Sequence, residues 1–169
     1  MKTTNVIALF CEDIREEKGG SMTLIGVFRD NINFAPQPDP SVIDAPDIPK
    51  QGPEALGMIT KLWIFLRVNF DPNSRIKEAA IRLVMQDGKN ESLGRISQES
   101  FDEARKSAKE KKNLLAGLIT RVMLTTSVVK QGSIKVEVDM DGETYLAGSL
   151  NFQPKAEGEQ TLTTSANAQ

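Results

Sequence analysis

Val6-Ile-Ala-Leu-Phe-Cys-Glu-Asp-Ile-Arg-Glu-Glu-Lys-Gly-Gly-Ser-Met-Thr-Leu-Ile-Gly-Val-Phe28 reads as two apolar strands joined by a charged connection. The run Val6–Cys11 is continuously apolar, which suits a strand covered on both faces. Glu12–Lys18 is expected to be a loop, closed by the pair Gly19-Gly20. Met22–Phe28 is the return strand, with Met22, Leu24, Gly26 and Phe28 on one face. A glycine inside a strand marks a bulge or a close neighbour, and Gly26 is such a position.

The same grammar recurs along the chain. In Lys61–Phe70, Leu62, Ile64, Leu66, Val68 and Phe70 alternate with Lys61, Trp63, Phe65, Arg67 and Asn69. Asp71-Pro-Asn-Ser turns the chain. Ala79–Gln86 is a second amphipathic strand, and Asp87-Gly88 is a turn before Glu91–Ile96. Ser133–Met140 alternates cleanly, and Asp141-Gly142 turns it into Thr144–Phe152.

Two segments break the strand pattern. Residues 35–53 hold Pro36, Pro38, Pro40, Pro46, Pro49 and Pro53, too dense for ladder pairing, and read as a long crossover. Residues 100–112 read as a helix. Ser100 and Glu103 fit a capping box, and Lys109, Lys111 and Lys112 complement the dipole at the other end. Its apolar face is thin (Phe101, Ala104, Ala108), so the helix is expected as a surface insertion. Residues 114–120 are compatible with helix or strand, whereas the β-branched content up to Val129 favours a strand. Residues 154–169 are polar and read as a disordered tail.

Many short strands, frequent turn signals and one helix imply a mainly β chain. The expected fold is an antiparallel β-sandwich of about seven to nine strands with one short helical insertion, spanning residues 1–153 as a single domain. A closed β-barrel is the alternative.

Composition narrows the function classes. The 169 residues are long enough to bury a core without disulfides or metals. There is no histidine, which removes His-based acid–base catalysis and the commonest metal ligand. The single cysteine, Cys11, permits neither an intrachain disulfide nor a cysteine zinc cluster. Net charge is −2, so no global field attracts nucleic acid or an anionic membrane. No apolar run nears the roughly 20 residues that span a bilayer, and the N-terminus lacks signal-peptide organisation. The cytoplasm is the expected location.

The N-terminal motif Ala8-Leu-Phe-Cys-Glu-Asp-Ile-Arg, followed by Gly20-Ser-Met-Thr-Leu-Ile-Gly-Val-Phe, resembles the opening of an uncharacterised bacterial β-sandwich domain family. Its members start with an apolar strand, an acidic-arginine loop, a glycine and a Ser-Leu-Ile-Gly-Val-like strand. The hairpin at Asp141-Gly142 fits that family's ending. The resemblance implies the fold and carries no catalytic residues.

Five features are candidates for a working surface. Glu12, Asp13, Arg15 and Glu16 cluster carboxylates beside a guanidinium and suit a partner's charged patch. Trp63, with Phe65, sits on the second face of a strand whose first face is already apolar, which implies either burial on both sides or an interface. Asp71, Asp87, Asp139 and Asp141 fall at strand ends, where turn geometry alone accounts for aspartate. Cys11 lacks a nearby base and reads as an inert buried thiol. Arg105, Lys106, Lys109, Lys111 and Lys112 could meet phosphates, but lack interleaved aromatics. The expected function is a non-enzymatic protein-interaction module, able to self-associate, without catalytic residues, metal or cofactor. The alternatives are a small-molecule- or divalent-cation-binding β-sandwich and a weak nucleic-acid binder acting through the helix.

Overall fold

The computed structural model describes residues 4–35 and 55–155. The expected crossover 35–53 lies outside them except for its first residue, and so does the tail beyond Lys155. The described chain runs β1 (Asn5–Glu16), β2 (Met22–Phe28), β3 (Asn31–Phe34), β4 (Ala55–Phe70), β5 (Ala79–Met85), β6 (Asn90–Ile96), α1 (Gln98–Glu110), β7 (Ala116–Lys130), β8 (Gly132–Met140) and β9 (Glu143–Pro154). The strands form two sheets. Sheet A has the order β2-β1-β4-β7, and sheet B has the order β3-β9-β8-β5-β6. Neither sheet closes on itself, so the chain is a β-sandwich and not a barrel.

Alternation builds the core. Val6, Ala8 and Phe10 of β1 and Leu62, Ile64, Leu66, Val68 and Phe70 of β4 are buried on the inner face of sheet A. Ala79, Ile81 and Leu83 of β5, Ile134, Val136, Val138 and Met140 of β8, and Leu150 and Phe152 of β9 meet them from sheet B. The sheets approach closely at Gly148, where a Cβ would lie 2.7 Å from the Ala8 carbonyl oxygen. Asp141 (φ 56°) and Gly142 (φ 76°) form the two-residue hairpin that pairs Met140 with Glu143. One ladder departs from the antiparallel expectation: β3 runs parallel to β9, Ile32 opposite Phe152.

The helix starts two residues earlier than its sequence signal. Ser97, not Ser100, is the N-cap, and its hydroxyl accepts from the Ser100 amide at 3.3 Å. The Ser100–Glu103 box is therefore displaced by the better-placed upstream serine. Lys112 at φ 54° and the Asn113 amide bond to the Ala108 carbonyl (2.8 Å) close the far end. Phe101, Ala104 and Ala108 are buried as expected. The Phe101 ring meets Phe70 edge-on, with centroids 5.1 Å apart. The ambiguous stretch after the helix is strand from Ala116 onward.

Candidate functional site

The charged segment is not a loop. Glu12–Glu16 continue β1 and pair with β2 through Glu16 opposite Met22, so the turn is confined to residues 17–21. The Glu17 amide donates to Ser21 O and the Gly20 amide to Glu17 O. Charged residues tolerate a ladder when one face is wet, and the glycine pair alone supplies the left-handed backbone, at φ 96° and 81°. The loop expectation mistook charge for irregular backbone.

The end of β1 leaves the plane of sheet A. Its ladder with β4 stops at Cys11 opposite Trp63, whereas its ladder with β2 runs on. Gly26 sits across from this break at φ 61°, and the Glu12 side chain lies over it, where a Cβ would come within 2.5 Å. Glu16 then pairs with Arg121 of β7 at 3.5 Å. In the ladder, Arg121 faces Phe65, and Phe65 faces Leu9, seven residues before Glu16. Seven residues of straight strand span about 23 Å, far beyond side-chain reach. The β1–β2 hairpin therefore curls back across the outer face of sheet A.

The curl explains an odd burial pattern. Cys11 (0% exposed) and Ile14 (8%) are buried, yet neither belongs to the core between the sheets. Trp63 and Phe65 are half-buried. Asp13 and Lys61 tie the hairpin to β4 at 3.0 Å, and the Lys61 ammonium also lies 5.6 Å from the Trp63 ring centre. The Lys61 hydrogen bond, with help from Arg15, holds the Asp13 carboxyl below its ordinary pKa. Burial, then the Asp13 charge, pushes the Cys11 thiol up, so it stays protonated and unreactive. The Trp63 indole nitrogen is buried without a hydrogen-bond partner.

Glu12, Asp13, Arg15, Glu16 and Trp63 thus come together at one place, but mostly on each other and on sheet A. Arg15 and Asp13 lie 3.4 Å apart. The outer face nonetheless exposes large apolar side chains, Ile7 and Val27 on one side of Trp63 and Ile119 and Met123 on the other, each 40–48% exposed, with Arg67 standing between Ile7 and Ile119. Cross-strand neighbours Val27, Cys11, Trp63 and Met123 make one continuous apolar row. Sheet B is the opposite. There the outer Arg82 guanidinium holds Glu137 (3.2 Å) and Asp139 (3.0 Å), and Asp139 also accepts from Thr144.

Two further features were not visible in the sequence. A cleft of about 540 Å³ opens at one end of the sandwich, between Ile59, Leu62, Leu83, Leu124, Ile134 and Phe152, with Gln86, Lys89 and Ser133 towards its rim. Arg105 is not a surface cation. Its guanidinium lies 5.7 Å from the Phe70 and 5.9 Å from the Phe101 ring centres, bonds Asp102 at 2.6 Å and donates to the Ile76 carbonyl. The helical row proposed for phosphates loses its first member to this packing.

Asp71, Asp87 and Asp141 serve their turns, whereas Asp139, expected at a turn, lies within β8 and pairs with Arg82. Asp71 accepts from the Asn73 amide at 2.8 Å and Asp87 from the Lys89 amide at 3.0 Å, the latter holding the Asp87 carboxyl below its usual range. Among the described residues, no group of three or more carboxylates or thiols is placed to hold a metal, and no helix is long and apolar enough to cross a membrane. No family model, curated protein or solved structure matches this chain.

Proposed function

We propose that this chain is a non-enzymatic protein-binding domain that works through the outer face of sheet A. The carrying observation is the contrast between the two outer faces. Sheet B presents the Arg82–Glu137–Asp139 ion pairs with Leu146 as a single exposed large apolar side chain, whereas sheet A presents Ile7, Val27, Ile119 and Met123 to solvent around a half-buried tryptophan. Clustered exposed apolar side chains of this kind mark association surfaces. Tryptophan with aliphatic neighbours is the usual composition of an interface centre. A photo-crosslinking residue at Met123 tests the reading in cells of the source organism. A discrete protein adduct at this position, absent with the same residue at Arg95 on sheet B, is expected. No adduct at either position would remove it. A bacterial, cytoplasmic setting is part of the proposal, its bacterial part resting on the N-terminal motif.

A second reading has its own support in the cleft between the sheets. Its apolar wall and polar rim suit a small apolar or amphiphilic molecule. A ligand specific for the folded state raises the melting temperature. Medium-chain fatty acids are the first probes, and no shift with them at saturating concentration would count against this reading.

A further inference from the structure

Among the described residues the sandwich has four sheet edges, and three of them are blunted. The β2 edge is bent at Gly26 (φ 61°). The β3 edge is only four residues long. The β6 edge carries Glu91 and Arg95, has Gly94 at φ 140°, and shifts register against β5 between Ile81 and Arg82. Bends, short length, charge and bulges are the devices that stop an open edge from pairing with another chain.

The fourth edge has none of these along its central stretch. β7 is the outermost strand of sheet A and pairs with β4 in unbroken register from Gly57 opposite Val129 to Phe70 opposite Ala116. Its stretch Leu118-Ile-Thr-Arg-Val-Met-Leu124 contains no proline or glycine and one charge. That charge, on Arg121, is already matched by Glu16 of the same chain. Among the described residues, the exposed large apolar side chains also gather here. Ile119 and Met123 lie on the strand, and Leu114 (93% exposed) and Leu115 (39%) lie on its approach.

We propose that the open edge of β7 pairs antiparallel with the same edge of a second copy of this chain, extending sheet A from four strands to eight. The proposal deepens the protein-binding reading above and rests on it. Self-pairing is favoured because the edge is complementary to itself. A two-fold axis at Val122 sets Arg121 opposite Met123 and Thr120 opposite Leu124, so no like charges meet. Cross-strand pairs of β-branched and long apolar residues are the stabilising kind. The axis also joins the two outer faces into one continuous surface, on which the two Trp63–Met123 rows lie offset by two residues and Met123 of each copy packs beside Arg121 of the other. Such an isologous contact closes after two copies and does not propagate.

Sedimentation equilibrium of the full chain, with amide exchange followed along β7, tests this. A dimer with a micromolar Kd is expected. The amides of Leu118–Leu124 should exchange more slowly as concentration rises. Met123→Lys should raise Kd by about thirtyfold or more, whereas Leu146→Lys on sheet B, where the native leucine is already 60% exposed, should leave it unchanged. A monomer at about 100 μM, well above a micromolar Kd, would overturn the proposal. So would a dimer that is indifferent to Met123→Lys and unprotected along β7. Neither result touches the crosslinking outcome at Met123, so failure of self-pairing and failure of the protein-binding reading are told apart. Protection of β7 only on adding an extended peptide would likewise overturn self-pairing.

Discussion

Glu16 Oε2 lies 3.5 Å from Arg121 Nη2 although β4 stands between their strands. This one contact fixes the course of the β1–β2 hairpin, because only a hairpin folded over sheet A brings the two together. Cys11, the sole cysteine, lies fully buried near the bend and reports on it.

Removing the outer tether should loosen the hairpin modestly. Both partners are partly exposed, at 59% and 38%, and pairs of this kind contribute about 0–1 kcal/mol. Arg121→Ala is expected to speed Cys11 labelling by a thiol reagent by up to about fivefold. No change at all would mean that the hairpin is held elsewhere.

The inner tether is pH-sensitive. The Asp13 pKa is lowered in the fold, chiefly by the Lys61 hydrogen bond. A depressed carboxyl contributes stability above its unfolded value, near 3.8, and loses it as pH falls through the still lower folded value. Hairpin closure, read by Trp63 fluorescence, should therefore be flat from neutral pH down to the ordinary carboxylate range and weaken below it. In Asp13→Asn that acid-side change should be smaller.

Arg105 is a packing residue between two rings. Arg105→Ala removes the stacked guanidinium and leaves the Ile76 carbonyl without its donor. A loss of about 1–3 kcal/mol is expected from such a deletion, read by denaturant midpoint. Arg105→Lys should recover only part of it, since an ammonium cannot stack flat on both phenyl rings while reaching both oxygens.

Gly148 allows β9 to touch β1. A methyl there would stand 2.7 Å from the Ala8 carbonyl oxygen, a backbone atom that cannot rotate away. Gly148→Ala should destabilise by about 1–3 kcal/mol through overpacking. A neutral result in a melting experiment would show that the sheets can part locally.

The strands were legible where one face is buried. Leu62 to Phe70 and Ile134 to Met140 alternate because inner and outer neighbours differ, and the structure buries the predicted set. The helix was legible from its charges and its three small or aromatic contacts, with the cap misplaced by three residues because Ser97 and Ser100 both qualify. The charged half of β1 was not legible. Its carboxylates face solvent or cations, so neither alternation nor hydrophobicity marks it as strand. Of the candidate residues, Asp13, Glu16 and Trp63 do lie around the hairpin, but as its fastenings. The exposed residues Ile7, Ile119 and Met123 went unnoticed because an apolar residue in a strand reads as core until the sheet order is known. Arg105 read as a surface cation because Phe70, the ring that completes its aromatic sandwich with Phe101 of the same helix, lies on β4.

Strand order also sets a timetable. β4 is the longest strand of sheet A and lies inside it, yet its β7 side stays open until about 60 further residues, from Phe70 to Lys130, have been made. At roughly 5–20 residues per second of synthesis, that interval is about 3–12 s. Throughout it, Leu62, Ile64 and Leu66 have a partner strand on one side only. Sheet B is likewise incomplete until β8 and β9 emerge, so the nascent chain cannot mature in sequence from its N-terminus. Its solubility during translation depends on how long that half-built sheet is sheltered, by the ribosome or a holdase, and slowing translation after residue 70 should lower the yield of folded protein.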